Sequence, residues 1–238
     1  MKVGVVGLGY WGSKAYEEYI ALRDDGGIDS VWACDVDEEK LAAADAADGH
    51  TDDLNELFSV VDAIHVCTGN RTHYEIGMAA LNKDLDVLIE KPLTADRHQA
   101  YDLVERASET GCVLQTGHIF RFADVVRKLR DLYQDDYFGE VEYFTLRWTH
   151  EIEPMADTNV LWDLLPHPID ILNFVTNDWP EEVSGIWDGI DDGGPVQMAE
   201  VHLQLDDTLA NIQVSWRDPV RRRQLEVVGE KRSAVVEC

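Results

Sequence analysis

The first half of the chain alternates short apolar runs with segments of helical character. The runs that predict strands cover residues 2–6, 30–36, 63–68, 86–91 and 112–117, and the segments that predict helices cover residues 13–23, 38–47, 72–83 and 95–111. Strands that alternate with helices imply right-handed crossovers and a parallel sheet covered on both faces. Residues 1–119 are therefore predicted to form a doubly wound α/β domain.

A different pattern begins at about residue 120. A helix is predicted over residues 123–133, and strands are predicted over residues 140–150, 181–189, 199–207, 209–218 and 223–231, with a turn at 206–208. Val201, Leu203 and Leu205 alternate with polar residues, which is the period of a half-buried strand. We expect residues 120–238 to form an α+β domain with an open, mainly antiparallel sheet.

The charge of the chain limits its partners. Its 238 residues include 47 acids and 20 bases, which give a formal net charge of −27 and a pI near 4.4. Such a field repels nucleic acid and anionic membranes, so neither is an expected partner. The acids are dispersed and only seven bases are Lys, which favours a halophilic protein from a high-salt cytoplasm. An acidic protein from a low-salt cell is the alternative.

The sequence has no signal peptide and no apolar run of about 18 residues, so we expect a soluble, cytoplasmic protein. Its cysteines are widely separated and form no C-x-x-C pair, which favours small core residues or a free thiol over disulfides or a zinc site. These cysteines are Cys34, Cys67, Cys112 and Cys238.

A glycine motif, GLGYWG, follows the first predicted strand at residues 7–12. In G-x-G-x-x-G the first glycine permits a tight turn, the second lets the backbone approach a pyrophosphate, and the third lets helix and strand pack closely. Gly7, Gly9 and Gly12 stand at these positions, with Tyr10 and Trp11 between them. This context predicts a Rossmann-type dinucleotide site, with a purely structural glycine turn as the alternative.

An acid ends the second predicted strand, about 20 residues after the glycine motif. Asp35 at this place would accept hydrogen bonds from the adenosine ribose hydroxyls and would repel a 2′-phosphate. Asp37 adds to that repulsion, and no Arg lies within residues 34–40. NAD is therefore favoured over NADP. Asp35 also fits the cap of the following helix, and both roles are compatible.

Polar segments follow the third and fourth predicted strands. TGNRTH, residues 68–73, offers Thr68, Asn70 and His73 to a cofactor at the carboxyl edge of the sheet. An ordinary turn, with Asn70 or Thr72 as a helix N-cap, is the alternative for each of them.

EKP, residues 90–92, ends the fourth predicted strand at the same edge. There Lys91 would lie beside the nicotinamide end of the cofactor. A surface salt bridge between Glu90 and a neighbour is the alternative.

The segment LWDLLPHPIDIL, residues 161–172, places Asp163, His167 and Asp170 among apolar residues. Pro166 and Pro168 favour a helix that begins here, with Asp163 just outside it. His is the usual general base near neutral pH, and Asp can orient a hydroxyl. A capping role for Asp163 is the alternative, and no metal site is expected, because the setting is aliphatic and no third His or Cys lies nearby.

These motifs resemble the Gfo/Idh/MocA oxidoreductases, which are relatives of glucose–fructose oxidoreductase and inositol 2-dehydrogenase. GLGYWG, Asp35, TGNRTH, IEKPL, GHIFRF (117–122) and D-x-x-x-H at Asp163 and His167 follow in the order of the family. The DLLPH form is most similar to its nucleotide-sugar 3-dehydrogenase branch. Gly69 stands where the family usually has Pro, and Pro168 where an acid is common. The family generally extends further, so a last strand and helix are expected to be missing.

The resemblance implies hydride transfer between NAD(P) and a carbinol carbon of a sugar, nucleotide-sugar or cyclitol. It assigns Lys91, His167 and Asp163 to the substrate site, with His167 as the base and Arg121 as a further substrate contact. It also implies a homo-oligomer, dimer or tetramer, formed through the open sheet. The alternatives are a non-catalytic NAD-binding sensor or partner protein and an NAD-dependent glycosidase of the same fold.

Overall fold

A computed structural model describes residues 1–155, 158–188, 195–206 and 208–238. The chain divides into two compact units, Met1–Gly117 and His118–Cys238. Parts of three sequence predictions lie outside the described residues: the last residue of the strand predicted over 181–189, the last residue of the strand predicted over 199–207, and the middle of the turn at 206–208.

The first unit contains a sheet whose described strands are all parallel, in the order β3-β2-β1-β4-β5-β6. The strands are β1 (Lys2–Val6), β2 (Ser30–Cys34), β3 (Gly49–Thr51), β4 (Ala63–Val66), β5 (Asp86–Ile89) and β6 (Leu114–Thr116). The helices are α1 (Tyr10–Asp24), α2 (Glu38–Ala43), α3 (Leu54–Phe58), α4 (His73–Leu81) and α5 (Arg97–Thr110).

Apolar strand residues pack in two clusters, which explains why the strands read as continuous apolar runs. Val5 packs with Tyr16 of α1, whereas Val6 packs with Ile76 of α4 and Leu103 of α5. Because successive side chains of a strand point to opposite faces, the sheet is buried on both. The predicted doubly wound parallel sheet is confirmed.

Two elements between residues 49 and 58 escaped the sequence analysis. β3 is short and polar, so it has no apolar run to mark it, and it pairs only with the edge of β2. Helix α3 begins with an Asp53 side chain that accepts from the Asn55 amide at 2.8 Å. α2 ends at Ala43, four residues before its predicted end. The chain leaves the helix there because the Val31 amide of β2 donates a hydrogen bond to Asp48 Oδ2 at 2.8 Å, which holds Asp48 against the sheet.

The parallel ladder brings the ends of five strands to one level. The last residues of β1, β2, β4, β5 and β6 pair with one another across the sheet. Hydrogen bonds continue past them, from the Cys67 amide to the Val6 carbonyl at 2.8 Å and from the Gly117 amide to the Ile89 carbonyl at 2.7 Å. The residues that follow these strands therefore stand side by side in one row at the carboxyl edge, which we call the edge row: Gly7, Asp35, Cys67, Glu90 and Gly117.

The second unit contains a mixed sheet with the order β12-β11-β7-β10-β9-β8 in the described residues. Its strands are β7 (Val141–Glu151), β8 (Glu182–Trp187), β9 (Met198–Leu205), β10 (Thr208–Ser215), β11 (Arg217–Gly229) and β12 (Ser233–Glu237), and its helices are α6 (Asp124–Gln134), α7 (Val160–Asp163) and α8 (Pro166–Thr176). Neighbouring strands are antiparallel except β7 and β10, which are parallel. The predicted mainly antiparallel sheet is confirmed.

One face of this sheet is covered and the other is exposed, where polar side chains stand beside exposed apolar ones such as Tyr143, Leu209 and Val235. Phe144, Leu146 and Trp148 of β7 are fully buried and belong to the core cluster that includes residues of α6 and α8. On the opposite face His202 and Asn211 are exposed and hydrogen-bonded to each other at 2.7 Å. No helix in the described part of the chain is long and apolar enough to cross a membrane.

Candidate active site

The glycine turn after β1 has the geometry of a phosphate-binding loop. Gly7 has φ +88°, a left-handed conformation that favours glycine. A Cβ on Gly12 would lie 1.7 Å from the Gly7 carbonyl oxygen, so this helix position admits only glycine. A Cβ on Gly9 would meet no atom within 4 Å. The chain itself does not require glycine there, and close approach of a ligand to the backbone explains it.

Asp35 holds this turn in place from the end of β2. Its Oδ2 accepts a hydrogen bond from the Leu8 amide at 2.6 Å, and its Oδ1 accepts from the Asp37 amide at 3.0 Å. Each carboxylate oxygen has a second lone pair, so a ribose hydroxyl can still donate to it. Asp37 also caps α2 by accepting from the Glu39 amide, which makes it the capping acid of this segment.

Lys40 brings a positive charge that the sequence analysis did not weigh. Its Nζ lies 3.6 Å from Asp35 Oδ2 and 3.7 Å from Asp37 Oδ2. No Arg lies within residues 34–40, but Lys40 follows Asp37 by three residues, so one turn of α2 brings the Lys side chain close to this acid. The predicted helix over residues 38–47 already implied this spacing. The net charge at this end of the edge row is therefore less negative than its two acids alone would make it.

The loop after β4 is tied to the loop after β5 through His73. This side chain is fully buried, with Nδ1 2.9 Å from the Pro92 carbonyl and Nε2 3.0 Å from the Thr68 carbonyl. A neutral imidazole can donate to one of these oxygens and an imidazolium to both. Thr72 occupies the N-cap position of α4, but its hydroxyl donates to Thr68 Oγ1 at 2.7 Å rather than capping the helix. Asn70 begins the short 3₁₀ turn just before.

Glu90 connects the glycine loop to the segment that carries Lys91. Its Oε1 accepts from Trp11 Nε1 at 2.5 Å and lies 3.2 Å from His65 Nε2. The Glu90 carboxylate is 13% exposed, and a Cβ on Gly117 would lie 2.9 Å from it. The Glu90 side chain therefore points across the edge of the sheet. It does not form the surface salt bridge that was the alternative expectation from the sequence. Lys91 is half-buried in the turn directly after β5, with a cis peptide bond to Pro92.

Three potential metal ligands meet beside this connection. Donor atoms of His65, Cys67 and Glu90 all lie within 4.8 Å of one another. Burial and the nearby Glu90 raise the pKa of the Cys67 thiol, and burial, Cys67 and Glu90 raise the pKa of Tyr19 to about 12. The Glu90 oxygen that faces His65 is already occupied by Trp11. We interpret the group as a hydrogen-bonded pair, His65 and Glu90, with the Cys67 thiol beside it, because a structural zinc takes four ligands and a deprotonated thiol.

In the second unit, Asp163 and His167 lie on either side of a break between two helices. Asp163 is the last residue of α7, outside α8 as the prolines predicted, and its Oδ2 accepts from Trp216 Nε1 at 2.9 Å. The His167 ring packs edge-on against Phe120, with 5.1 Å between centroids, and lies 6.2 Å from the Trp148 ring. These aromatic side chains, which the sequence analysis missed, fix the directions of both polar groups.

The Arg121 guanidinium is hydrogen-bonded to side chains of α8. Its Nε and Nη2 donate to Asp170 Oδ1 at 2.8 and 2.6 Å, and Nη2 also donates to Asn173 at 3.1 Å. Asp170 is 6% exposed, so its charge is stabilised by this forked pair. The third polar residue of the LWDLLPHPIDIL segment is therefore paired with Arg121 instead of sharing a face with Asp163 and His167.

A glycine turn held by an acid at the edge of a parallel sheet defines a dinucleotide-binding domain. Two family models match the chain: the oxidoreductase family with an NAD-binding Rossmann fold over residues 1–118, and the GFO/IDH/MocA C-terminal domain over residues 126–235. The chain belongs to the Gfo/Idh/MocA oxidoreductase family. The predicted family and the predicted NAD-binding domain are confirmed.

Characterised dehydrogenases are similar in sequence to much of the chain. The UDP-N-acetylglucosamine 3-dehydrogenase of Acidithiobacillus ferrooxidans is 28% identical over 231 residues, which cover 94% of this chain and 71% of the relative. An inositol 2-dehydrogenase/D-chiro-inositol 3-dehydrogenase of Lactiplantibacillus plantarum is 27% identical over 186 residues, which cover 74% of this chain and 53% of the relative. The chain thus spans about half the length of that second relative.

Solved structures agree with these relatives. The A. ferrooxidans UDP-N-acetylglucosamine 3-dehydrogenase superposes with a TM-score of 0.85 at 26% identity, covering 100% of this chain and 77% of that one. GenD2 from gentamicin A biosynthesis, solved in complex with NAD, has a TM-score of 0.90 at 24% identity and covers 100% and 72%. At that identity the likeness to GenD2 is one of fold.

Proposed function

We propose that the chain is an NAD-dependent oxidoreductase that transfers hydride between nicotinamide and a carbinol carbon of a sugar, nucleotide-sugar or cyclitol. The observation that carries the proposal is the edge row, where a ribose-type acid, a glycine turn and the EKP segment stand in one row of strand ends, with the end of β4 between the last two. Family membership supports it, and so do relatives that act on UDP-N-acetylglucosamine and inositol.

In this proposal the first unit holds the cofactor through the edge row and its loops. The amides at the start of α1 bind the pyrophosphate, and Asp35 accepts from the adenosine ribose, which favours NAD over NADP. When bound, NAD supplies the hydride acceptor. The residues proposed to hold it are Gly7, Gly9, Tyr10, Trp11, Gly12, Asp35, Thr68, Asn70, His73, Glu90 and Lys91.

The proposed proton chemistry uses three side chains. His167 takes the proton of the reacting hydroxyl, and Lys91 donates a hydrogen bond to the same oxygen and stabilises its developing negative charge. Asp163 orients a neighbouring hydroxyl. Packing of His167 against Phe120 and the bond from Trp216 to Asp163 support these roles, because a catalytic group needs a fixed direction. Arg121 remains a proposed substrate contact through the part of its guanidinium that faces away from Asp170.

The test is turnover of a sugar, nucleotide-sugar and cyclitol panel, followed as NADH absorbance. Lys91→Ala and His167→Ala should each lower kcat by about 100-fold or more, the usual worth of a positioned acid–base group. Lys83→Ala, which removes an exposed Lys after α4, is the matched control and should keep full activity. Full turnover by both site variants would refute the assignment.

The same panel separates the alternatives. Binding of NAD without turnover of any compound would point to a sensor or partner protein. Release of free sugar from glycosides without net NADH would point to the glycosidase.

We also propose a halophilic, cytoplasmic homo-oligomer, dimer or tetramer, that works on a small sugar-like molecule without a nucleic acid or membrane partner. The net charge of −27 supports the salt requirement, and the exposed outer face of the second sheet offers the contact surface. Light scattering over a range of KCl concentrations should show one oligomer that dissociates or unfolds as salt is withdrawn. A monomer at every salt concentration would contradict the oligomer.

A further inference from the structure

The fully buried Trp148 of β7 has no hydrogen-bond partner for its indole nitrogen within the described residues. Two rings and a cation surround the indole instead. The Phe120 ring lies edge-on with 4.9 Å between centroids, and the His167 ring lies at 6.2 Å. The guanidinium carbon of Arg223 lies 5.3 Å from the centre of the indole. One indole thus connects the proposed catalytic base with a half-buried cation.

Strand register places Arg223 beside Trp148. The two residues are direct partners in the antiparallel β11–β7 ladder, so their side chains leave the same face of the sheet. That face is the covered one, because Trp148 belongs to the core cluster that includes residues of α8. Arg223 is therefore held on the side of the sheet that packs against the helix of His167.

The charge of Arg223 is poorly compensated. In the described part of the chain its hydrogen-bond partners are His150 Nδ1 at 3.1 Å and the Arg222 carbonyl at 3.2 Å, and neither is a carboxylate. Arg can only donate, so His150 Nδ1 accepts and this imidazole is neutral. Burial lowers the pKa of Arg223 to about 10, and Arg221 acts in the same direction, whereas Asp163 acts in the opposite one. A desolvated cation without an anionic partner costs stability, so stability does not explain its place here.

We propose that Arg223 is a positioning residue for the proposed general base: it holds the Trp148 indole against the His167 ring, and its positive charge opposes protonation of that ring. The inference rests on the proposed function, in which His167 has to be neutral in order to take the hydroxyl proton. A nearby cation disfavours the charged form of an imidazole. Arginine suits the role because it stacks on an indole face and stays charged near neutral pH.

The contacts with Trp148 set the size of the effect. They place the guanidinium carbon within about 12 Å of the centre of the His167 ring, where one charge at an effective dielectric constant of about 20–40 shifts a proton equilibrium by about 0.5–1 pH unit. The other charged or titratable groups around Arg223 and α8 are Asp163, Arg221, His150, Cys238, His118, Arg121 and Asp170. They are the same in every variant below, so a difference between variants reports the charge of Arg223.

The experiment is an NMR pH titration of the histidine rings in the full chain, with the His167 signal identified by its loss in His167→Ala. Arg223→Met keeps an unbranched side chain and removes the charge, so the His167 midpoint should rise by about 0.5–1 pH unit. Arg223→Lys keeps the charge and should leave the midpoint unchanged. Arg232→Met is the matched control, because it removes an exposed Arg stacked on Tyr137 at 4.5 Å, and it should also leave the midpoint unchanged.

Thermal unfolding and turnover separate this role from a structural one. Arg223→Met removes a desolvated charge that lacks an anionic partner, so the Tm should stay unchanged or rise. With a substrate found in the panel above, the acid limb of the kcat/KM profile should move upward with the His167 midpoint. On that side of the profile kcat/KM should fall about 3- to 10-fold, which is the same shift expressed as a rate. Arg223→Lys should restore both.

Three outcomes overturn the inference. They are a His167 midpoint that is equal in Arg223→Met and in the unchanged protein, a midpoint that rises equally in Arg223→Lys, and an Arg223→Met chain that fails to fold, which would make the guanidinium structural. The titration needs no turnover, so it is read separately from the panel. A shifted midpoint in a chain that turns over no compound supports the link between Arg223 and His167, although the proposed function has then failed for that panel.

Discussion

Removal of the Glu90 carboxylate should loosen the glycine loop as well as the end of β5. In Glu90→Ala, Trp11 loses a charge-assisted bond of 2.5 Å, and the His65 side chain, only 8% exposed, loses its partner at 3.2 Å. Trp11 is 39% exposed and can be hydrated, so its loss is about 1.5 kcal/mol, whereas the buried His65 adds about 1–2 kcal/mol. The free energy of unfolding should fall by about 3 kcal/mol.

The assay is thermal and urea unfolding combined with NAD titration. A loss of about 3 kcal/mol corresponds to a Tm lower by about 6–12 °C for a chain of this size. The Kd for NAD should rise as well, because Trp11 belongs to the glycine motif. Glu105→Ala, an exposed acid on α5, is the matched control and should change stability by less than about 0.5 kcal/mol.

A double-mutant cycle isolates the contact itself. Trp11→Phe keeps an aromatic ring and removes only the N–H donor, so the cycle with Glu90→Ala should give a coupling energy of about 1–2 kcal/mol. Single effects that add to within about 0.3 kcal/mol would show that this hydrogen bond does not hold the loop, and the reasoning would be refuted.

Three further predictions concern the turn, an ion pair and a thiol. Gly12→Ala places a Cβ 1.7 Å from the Gly7 carbonyl oxygen, so it should cost more than about 3 kcal/mol and abolish NAD binding, as shown by urea unfolding and cofactor titration. Arg121→Ala removes the forked partner of the buried Asp170 charge and leaves His118, whose Nδ1 lies 3.8 Å from Asp170 Oδ2, as its neighbour; it should cost about 2–4 kcal/mol in urea unfolding, and Asp170→Asn in the same chain should restore part of it. Burial raises the pKa of Cys34 to about 12, so the unfolded chain ionises first and stability should fall as pH rises from about 9 to 12; Cys34→Ala should flatten the slope in that same pH range.

The sequence predicted what depends on local pattern. Every apolar run assigned to a strand contains one, although the run at 209–218 includes the end of β10 and the start of β11, and the prolines correctly separated Asp163 from the helix that carries His167. β3 was missed because three polar residues at a sheet edge carry no periodic signal. The parallel pairing of β7 with β10 could not be predicted from the sequence either, because side chains alternate in the same way in parallel and in antiparallel strands.

Contacts between distant segments were the other limit. The bond from Trp11 to Glu90 joins residues 79 positions apart, and the pair of Arg121 with Asp170 spans 49. Each residue was singled out by its motif, but its partner depends on strand order and register. Lys40 can be seen in the sequence, but its effect on the site depends on its distances to Asp35 and Asp37, which the folded structure sets.

The edge row has a consequence for how this protein can be altered. Its members are brought level by strands of equal reach, so one residue inserted into β4 or β5 would push the following side chain about 3.3 Å along the strand and turn it to the other face. An insertion in a surface turn between helix and strand would leave the row intact. The lengths of the strands therefore set the positions of the side chains at the cofactor edge. In chimeras with other members of the family, the junctions should be placed in the surface turns and the strands should keep their present length.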